Sequence, residues 1–415
     1  MPAHSDMPHS RLAAQTELGA TLRAARMAGA EPKPEHRTHQ PEDGLPGRSS
    51  TAPVSVESDL YVPGLENGER VAVIAGGGGV VGASLARTLV SKGWEVIGLA
   101  RKRVDIPGVR WVGVDLLDAQ DCHAKLSALT KTTHIFCAAR YNFAEGGREP
   151  LDENLAIVRN VVETLDHAAP GLRHIHMVQG MKYYGSHAGP FMTPAKESHP
   201  RCPIPNFYYL QQDYLTEKQA GARWTWSVSR PDALLHAVPG VPRSLVSVIA
   251  VYALICRELG LPLSFPGTEA AFHALYECTS ADQLAEGLLW MSEAPAAANQ
   301  AYNLINGDYI RWVNLWPVFA RYFDIPLGPV QTVKLVDVMA DRGPVWDRIV
   351  QRHGLEPWPY DRVALWAYAD YIWSRGWDVM ADMTKVRQHG FHRTVDTESE
   401  FVRFFDELRS QRVIP

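Results

Sequence analysis

Two stretches of this chain bring a lysine and tyrosines to where one reaction could use both. The first is Gly180-Met181-Lys182-Tyr183-Tyr184, and the second is Asn206-Phe207-Tyr208-Tyr209-Leu210-Gln211-Gln212-Asp213. A lysine cation lowers the pKa of a nearby tyrosine. The tyrosine hydroxyl can then donate to, or stabilise, an oxygen that gains negative charge as a hydride is delivered. A third arrangement competes with these. Tyr214-Leu215-Thr216-Glu217-Lys218 spaces its two groups by four, which sets them on one helix face. It stands more than one turn into its helix, and a packed tyrosine with a solvated lysine is the plain alternative. Arg140, just past the apolar run His134–Ala139, offers a guanidinium to an acidic substrate group, or a surface ion pair.

These groups need a hydride source beside them, and residues 71–101 are built to hold one. Val71 to Ile74 form an apolar, β-branched run that leads into Gly76, Gly77, Gly78 and Gly79. Val80, Val81 and Gly82 then open an Ala/Leu helix pattern. This is a strand–turn–helix unit with glycines at dinucleotide-phosphate spacing. Gly76 serves the tight turn, Gly79 the close approach of a pyrophosphate, and Gly82 the packing of helix on strand. The helix N-terminus presents free N–H groups and a positive dipole end. After the second strand, Trp94–Ala100, the chain reads Arg101-Lys102-Arg103, with no acid before Asp105. A ribose 2′-hydroxyl favours an acid there, whereas a 2′-phosphate suits a guanidinium fork. NADPH is therefore expected over NADH, with Arg101 and Lys102 as its contacts.

The flanking elements support a parallel, doubly wound α/β sheet of the Rossmann type. Further strands are expected at Val109–Asp115, His134–Ala139, Arg173–Gln179 and Thr225–Ser229. Helices are expected at Asp118–Leu129, Leu155–Ala168 and Tyr208–Ala220. Beyond Leu234 the pattern turns mostly helical and rich in Trp and Tyr. The expected division is an extension over 1–69, poor in aromatics and reading as disordered, a cofactor domain over 70–234, and a helical substrate-binding part over 235–415. The C-terminal tryptophans read mainly as core.

The formal net charge of −5 gives no reason to expect nucleic-acid binding. Five dispersed cysteines without a CxxC fit a reducing, cytoplasmic setting. The apolar run Leu245–Cys256 is too short to span a bilayer and reads as a buried helix. The 16 histidines show no metal spacing, so no metal is expected.

The segment Asn206–Asp213 resembles the NFYYxxED signature of the progesterone 5β-reductase and iridoid synthase-like reductases, an atypical branch of the extended short-chain dehydrogenases. VQGMKYYG resembles that family's lysine segment and WSVSRP its Trp-Ser-x-x-Arg-Pro strand. Further matches run through VYALICRELGLPLSFPG, SADQLAEG, AYNLINGDYIRW and the terminal Val-Ile-Pro. The resemblance covers residues 70 to 415. It implies that Lys182 is the catalytic lysine and that Tyr209, the second tyrosine of the pair, is the catalytic hydroxyl. It also implies Arg101 at the 2′-phosphate, Asp115 on the adenine side and Tyr368 in the substrate pocket. The implied reaction is hydride addition from NADPH to the β-carbon of an enone or enal, and a homodimer is plausible. Two departures stand out. The signature's glutamate is Gln212, and the fourth strand ends in Ala138-Ala139-Arg140, where plant relatives are more aromatic. Two other readings stay open: carbonyl reduction or sugar-nucleotide epimerisation through Tyr214 and Lys218, and a regulator that binds NADP without turnover.

Overall fold

The computed structural model describes residues 69–141 and 149–415. The extension expected over 1–69 thus lies, apart from Glu69, outside the described residues.

Strand β1 (Val71–Ala75) is buried along its whole length, as a central parallel strand covered on both faces must be. The glycine turn leads into α1 (Val80–Ser91), followed by β2 (Glu95–Ala100) and β3 (Val109–Gly113). Helix α2 (Ala119–Leu126) starts where the Asp118 carboxylate accepts from the N–H groups of Gln120 and Asp121. Then come β4 (His134–Cys137), α3 (Leu151–Ala168), β5 (His174–Val178), α4 (Phe207–Gln219) and β6 (Thr225–Arg230). Helix α3 begins four residues before the sequence expectation. The other boundaries shift less, apart from a shorter α2.

The glycine turn shows why its residues are needed. Gly76 sits at φ +81°, and a Cβ there would lie 2.7 Å from the Ala139 backbone. A Cβ on Gly82 would lie 2.3 Å from the Gly76 carbonyl oxygen, so α1 can start this close to the turn only with glycine.

Past β6, the short strands β7 (Leu234–Leu235) and β9 (Thr279–Ser280) pair with each other. So do β8 (Leu263–Phe265) and β11 (Leu327–Val330). Strand β10 (Gln300–Asn303) behaves differently. It pairs in parallel with β6, Tyr302 opposite Ser229, and completes a seven-stranded sheet of order β10-β6-β5-β4-β1-β2-β3. The helix Ala281–Glu293 packs on α1 and on the sheet. Residues 281–303, beyond the expected boundary at residue 234, thus pack on the same sheet as the glycine turn. Gln-Ala-Tyr-Asn is too short and too polar to read as a strand alone, and its pairing with β6 makes it one.

The sheet is covered on one side by Leu85, Leu89, Leu284 and Leu288, and on the other by Leu126, Val161 and Leu165. The helix Leu245–Glu258 is buried from Leu245 through Cys256, the run read as a buried helix. Among the described residues no helix is long and apolar enough to cross a membrane. Trp312, Trp316, Trp373 and Phe265 interlock around that region, Trp316 and Trp373 meeting edge-on at 5.4 Å. Trp346 and Trp373 are core, whereas Trp358 remains exposed.

Candidate active site

A cavity of about 290 Å³ opens at the carboxyl ends of β1, β4, β5 and β6. This is the topological switch point, where ligands bind in open α/β sheets. Its walls run from Val80 and Val81, at the start of α1, to Tyr368, Tyr371 and Arg375 in the C-terminal part.

Asn206 organises the tyrosine segment. Its side-chain oxygen accepts from the Tyr208 N–H and starts α4, while its amide donates to the Lys182 carbonyl. Helix start and lysine turn are thereby tied together. Phe207 packs edge-on against Tyr208 at 4.5 Å, and the Arg140 guanidinium lies 5.5 Å above the Phe207 ring.

Successive helical residues point about 100° apart, so only one tyrosine of the pair can face the cavity. It is Tyr208. Its hydroxyl approaches Gly180 so closely that a Cβ on that glycine would lie 3.3 Å away. Among the described residues no hydrogen bond engages the hydroxyl, and burial pushes its pKa up to about 12. Tyr209, expected as the catalytic hydroxyl, is placed differently. Its hydroxyl donates to the Tyr183 carbonyl at 2.5 Å and accepts from the Cys202 N–H at 2.9 Å, while Arg201 stacks over its ring. Tyr209 is a strut between the lysine turn and the Cys202 loop, and it does not line the cavity.

Lys182 sits on the 3₁₀ turn Met181–Tyr184 and does line the cavity. Its Nζ lies 2.6 Å from Glu149 Oε1, which also holds Arg140 Nη2 at 3.3 Å. Burial lowers the Lys182 pKa, and the Glu149 carboxylate opposes that shift. Arg140 is on the cavity wall, with its charge shared with Glu149. Tyr368 is there too, buried, with the Arg243 guanidinium 4.7 Å over its ring.

The rival pair lies elsewhere. Tyr214 packs on the sheet face covered by α3, its hydroxyl buried without a partner among the described residues, and Lys218 pairs with Asp166 at 3.7 Å. Neither lines the cavity. The Gln212 departure also has a place. Gln212 Oε1 accepts from Arg230 Nη2 at 3.2 Å, behind the lysine turn, where Arg230 stacks 3.4 Å from the Tyr183 ring.

On the cofactor side, Gly79 caps α1 with no side chain, leaving the N–H groups of the first turn open. Ala100 and Val104 flank Gly78, which puts Arg101 and Lys102, both exposed, just past the turn. Asp115 is exposed beyond β3, its carboxylate accepting from the Leu117 N–H.

Sequence reasoning missed Glu149, Asp232, Arg243 and Arg375. Asp232 follows the Arg230-Pro231 strand end and could have been flagged by position. The other three lie in segments without a local pattern, and only packing brings them to the cavity.

Comparison with known proteins agrees with this architecture. Residues 110–415 match the family model described as a PRISE-like Rossmann-fold domain. An (S)-8-oxocitronellyl enol synthase from Nepeta racemosa is 35% identical over 372 residues, 84% of this chain and 94% of that protein. A 3-oxo-Delta(4,5)-steroid 5-beta-reductase from Arabidopsis thaliana is 33% identical over 370 residues, covering 84% of this chain and 94% of that protein. Among solved structures, UDP-glucose 4-epimerase from Thermotoga maritima superposes with a TM-score of 0.59 at 14% identity, covering 82% of this chain and 99% of that one. That likeness concerns the fold alone. The chain belongs to the progesterone 5β-reductase and iridoid synthase-like family, and it is an oxidoreductase of the short-chain dehydrogenase superfamily.

Proposed function

We propose that this protein reduces the activated C=C bond of an enone or enal with NADPH. One observation carries the reading: the Tyr208 hydroxyl and the Lys182 ammonium share the wall of a cavity that starts at the glycine turn. The names of the relatives, a steroid 5-beta-reductase and enol synthases, point the same way.

The residues fit the cofactor. The backbone of Gly76, Gly77, Gly78, Gly79, Val80, Val81 and Gly82 would hold the pyrophosphate at the uncapped start of α1. Arg101 and Lys102 would hold the 2′-phosphate, Asp115 the adenine side and Lys182 the nicotinamide ribose. NADPH, when bound, supplies the hydride that reaches the substrate β-carbon.

The chain's own groups handle the charge that this creates. As the C=C electrons move toward the carbonyl, its oxygen becomes an enolate oxygen. Tyr208, a neutral hydroxyl at pH 7, donates a hydrogen bond to that oxygen. Lys182 and Arg140 keep the local potential positive, and Glu149 holds the lysine in place. Proton delivery to the α-carbon from solvent then completes the reduction.

NADPH oxidation by the purified protein should follow addition of 2-cyclohexen-1-one or an 8-oxo-enal, but not of a saturated ketone. Consumption with the saturated ketone alone would sink the reading. Separately, Arg101→Glu should lower kcat/KM for NADPH by roughly 10- to 100-fold, as expected for losing a charge-assisted fork on a dianion, with a much smaller effect for NADH. Equal losses for both cofactors would remove Arg101 from the 2′-phosphate.

A further inference from the structure

The cavity wall is more cationic than reduction of a neutral enone needs. Arg140, Lys182, Arg243 and Arg375 reach it from four separate segments. Two carboxylates answer them. Glu149 serves both Lys182 and Arg140, and Asp232 lies 3.6 Å from Arg375. Two positive charges remain over.

Arg243 and Arg375 sit in the part of the wall that comes from beyond β6. Tyr368 and Tyr371, three apart, share one face of the helix Trp366–Trp373, and Arg375 follows just past its C-cap Ser374. Arg243 lies over the Tyr368 ring at 4.7 Å, and Arg375 over the Tyr371 ring at 4.4 Å. Each guanidinium thus rests over an aromatic ring, and part of its N–H set stays open to a ligand. Among the described residues no carboxylate lies within 4.0 Å of Arg243, the solvent-exposed member at the cavity mouth. Arg375 has a side chain only 4% exposed; its Nη1 donates to the Tyr276 hydroxyl at 3.4 Å, and among the described residues its buried Nε has no hydrogen-bond partner. A buried donor left unmade is costly, so an acceptor on the ligand has a clear place there.

We infer that the cavity takes an enone or enal whose far end carries a carboxylate, received by Arg243 and Arg375 while the carbonyl meets Tyr208. This rests on the ene-reductase reading. The carboxylate sets which end of the substrate enters first, and so which carbon faces the hydride.

Two probes test it. The first is the enal 8-oxooct-6-enoate beside its methyl ester. The free acid should be preferred in kcat/KM by roughly 10- to 100-fold, the scale of one or two charge-assisted hydrogen bonds, with the difference carried by KM. In Arg243→Met that acid-to-ester ratio should collapse toward one. The second probe is octanoate, which cannot react. Calorimetry should show it binding the wild-type enzyme–NADP⁺ complex and not the Arg243→Met complex. Octanoate binding that is lost in Arg243→Met, without turnover of either enal, would uphold the anion site and remove the ene-reductase reading. Reduction of ester and acid alike, or no octanoate binding with or without turnover, would overturn the anion site. A raised KM for NADPH in Arg243→Met with the acid-to-ester ratio intact would assign Arg243 to the cofactor and overturn it as well.

Discussion

Tyr208→Phe is expected to lower kcat for enone reduction by about 10²- to 10³-fold, the usual loss when one donor to a developing oxyanion is removed. Tyr209→Phe is expected to leave kcat within a fewfold of wild type while lowering the melting temperature. The two tyrosines are neighbours in sequence and both are pushed up to about 12 by burial, so pKa does not separate them. Their partners do. The Tyr209 hydroxyl is fully engaged by the Tyr183 carbonyl and the Cys202 N–H, which ties two loops together. Deleting it leaves a backbone donor and acceptor unpaired, at a cost of about 1–3 kcal/mol. The Tyr208 hydroxyl faces the cavity beside Gly180 and the lysine turn. Kinetics and thermal melts on both variants check this together. Loss of turnover in Tyr209→Phe with Tyr208→Phe active would reverse the assignment. Tyr214→Phe gives a control from the opposite sheet face, where turnover should hold.

Stability should fall steeply as the pH drops from 7 to 5. Among the described residues four histidines are buried: His134, His174, His176 and His236. His134 and His174 face each other across β4 and β5. His174 bonds the hydroxyls of Thr225 and Ser227, and His176 those of Ser227 and Ser229. Burial pushes His134 and His176 down to about 3 and His236 to about 4, and it holds His174 well below the usual range. The unfolded chain binds these protons near pH 6.5 and the folded chain does not. Their stabilisation is therefore complete above about pH 6.5 and is lost as the pH falls from there toward 3. At pH 5 the loss is on the order of 2 kcal/mol per histidine, large against a typical total of about 5–15 kcal/mol. Asp232, Glu277, Glu197, Glu293 and Glu407 act in the opposite sense, because burial raises them and protonation relieves them, so they offset part of the histidine loss. Melting curves at pH 7 and pH 5 measure the net effect, and His176→Gln isolates one contributor. The variant should be less stable at pH 7 but lose less on acidification. A wild-type melting temperature that stays flat down to pH 5 would contradict the account.

Local chemistry was written in the chain. An apolar run, four glycines and a helix pattern with Gly82 at the right offset can fold in few ways, because Gly76 needs a positive φ and Gly82 has no room for a Cβ. The alternation of strands and helices to Arg230 was legible for the same reason, since each period is set within a few residues. That the lysine turn and the NFYY segment belong together was legible, and the structure ties them at one cavity. Which tyrosine faces that cavity was not. Adjacent helical residues point about 100° apart, and the face that meets the cavity depends on how α4 enters, which the bond from Asn206 to the Lys182 carbonyl sets. Strand β10 had no pattern of its own and exists through its pairing with β6. Glu149, Arg243 and Arg375 lie far apart in the chain and carry no shared spacing. Their meeting at one cavity was decided by the packing of the C-terminal helices over the sheet, because charges from distant segments interact only once the tertiary structure has brought them within a few ångströms and out of water.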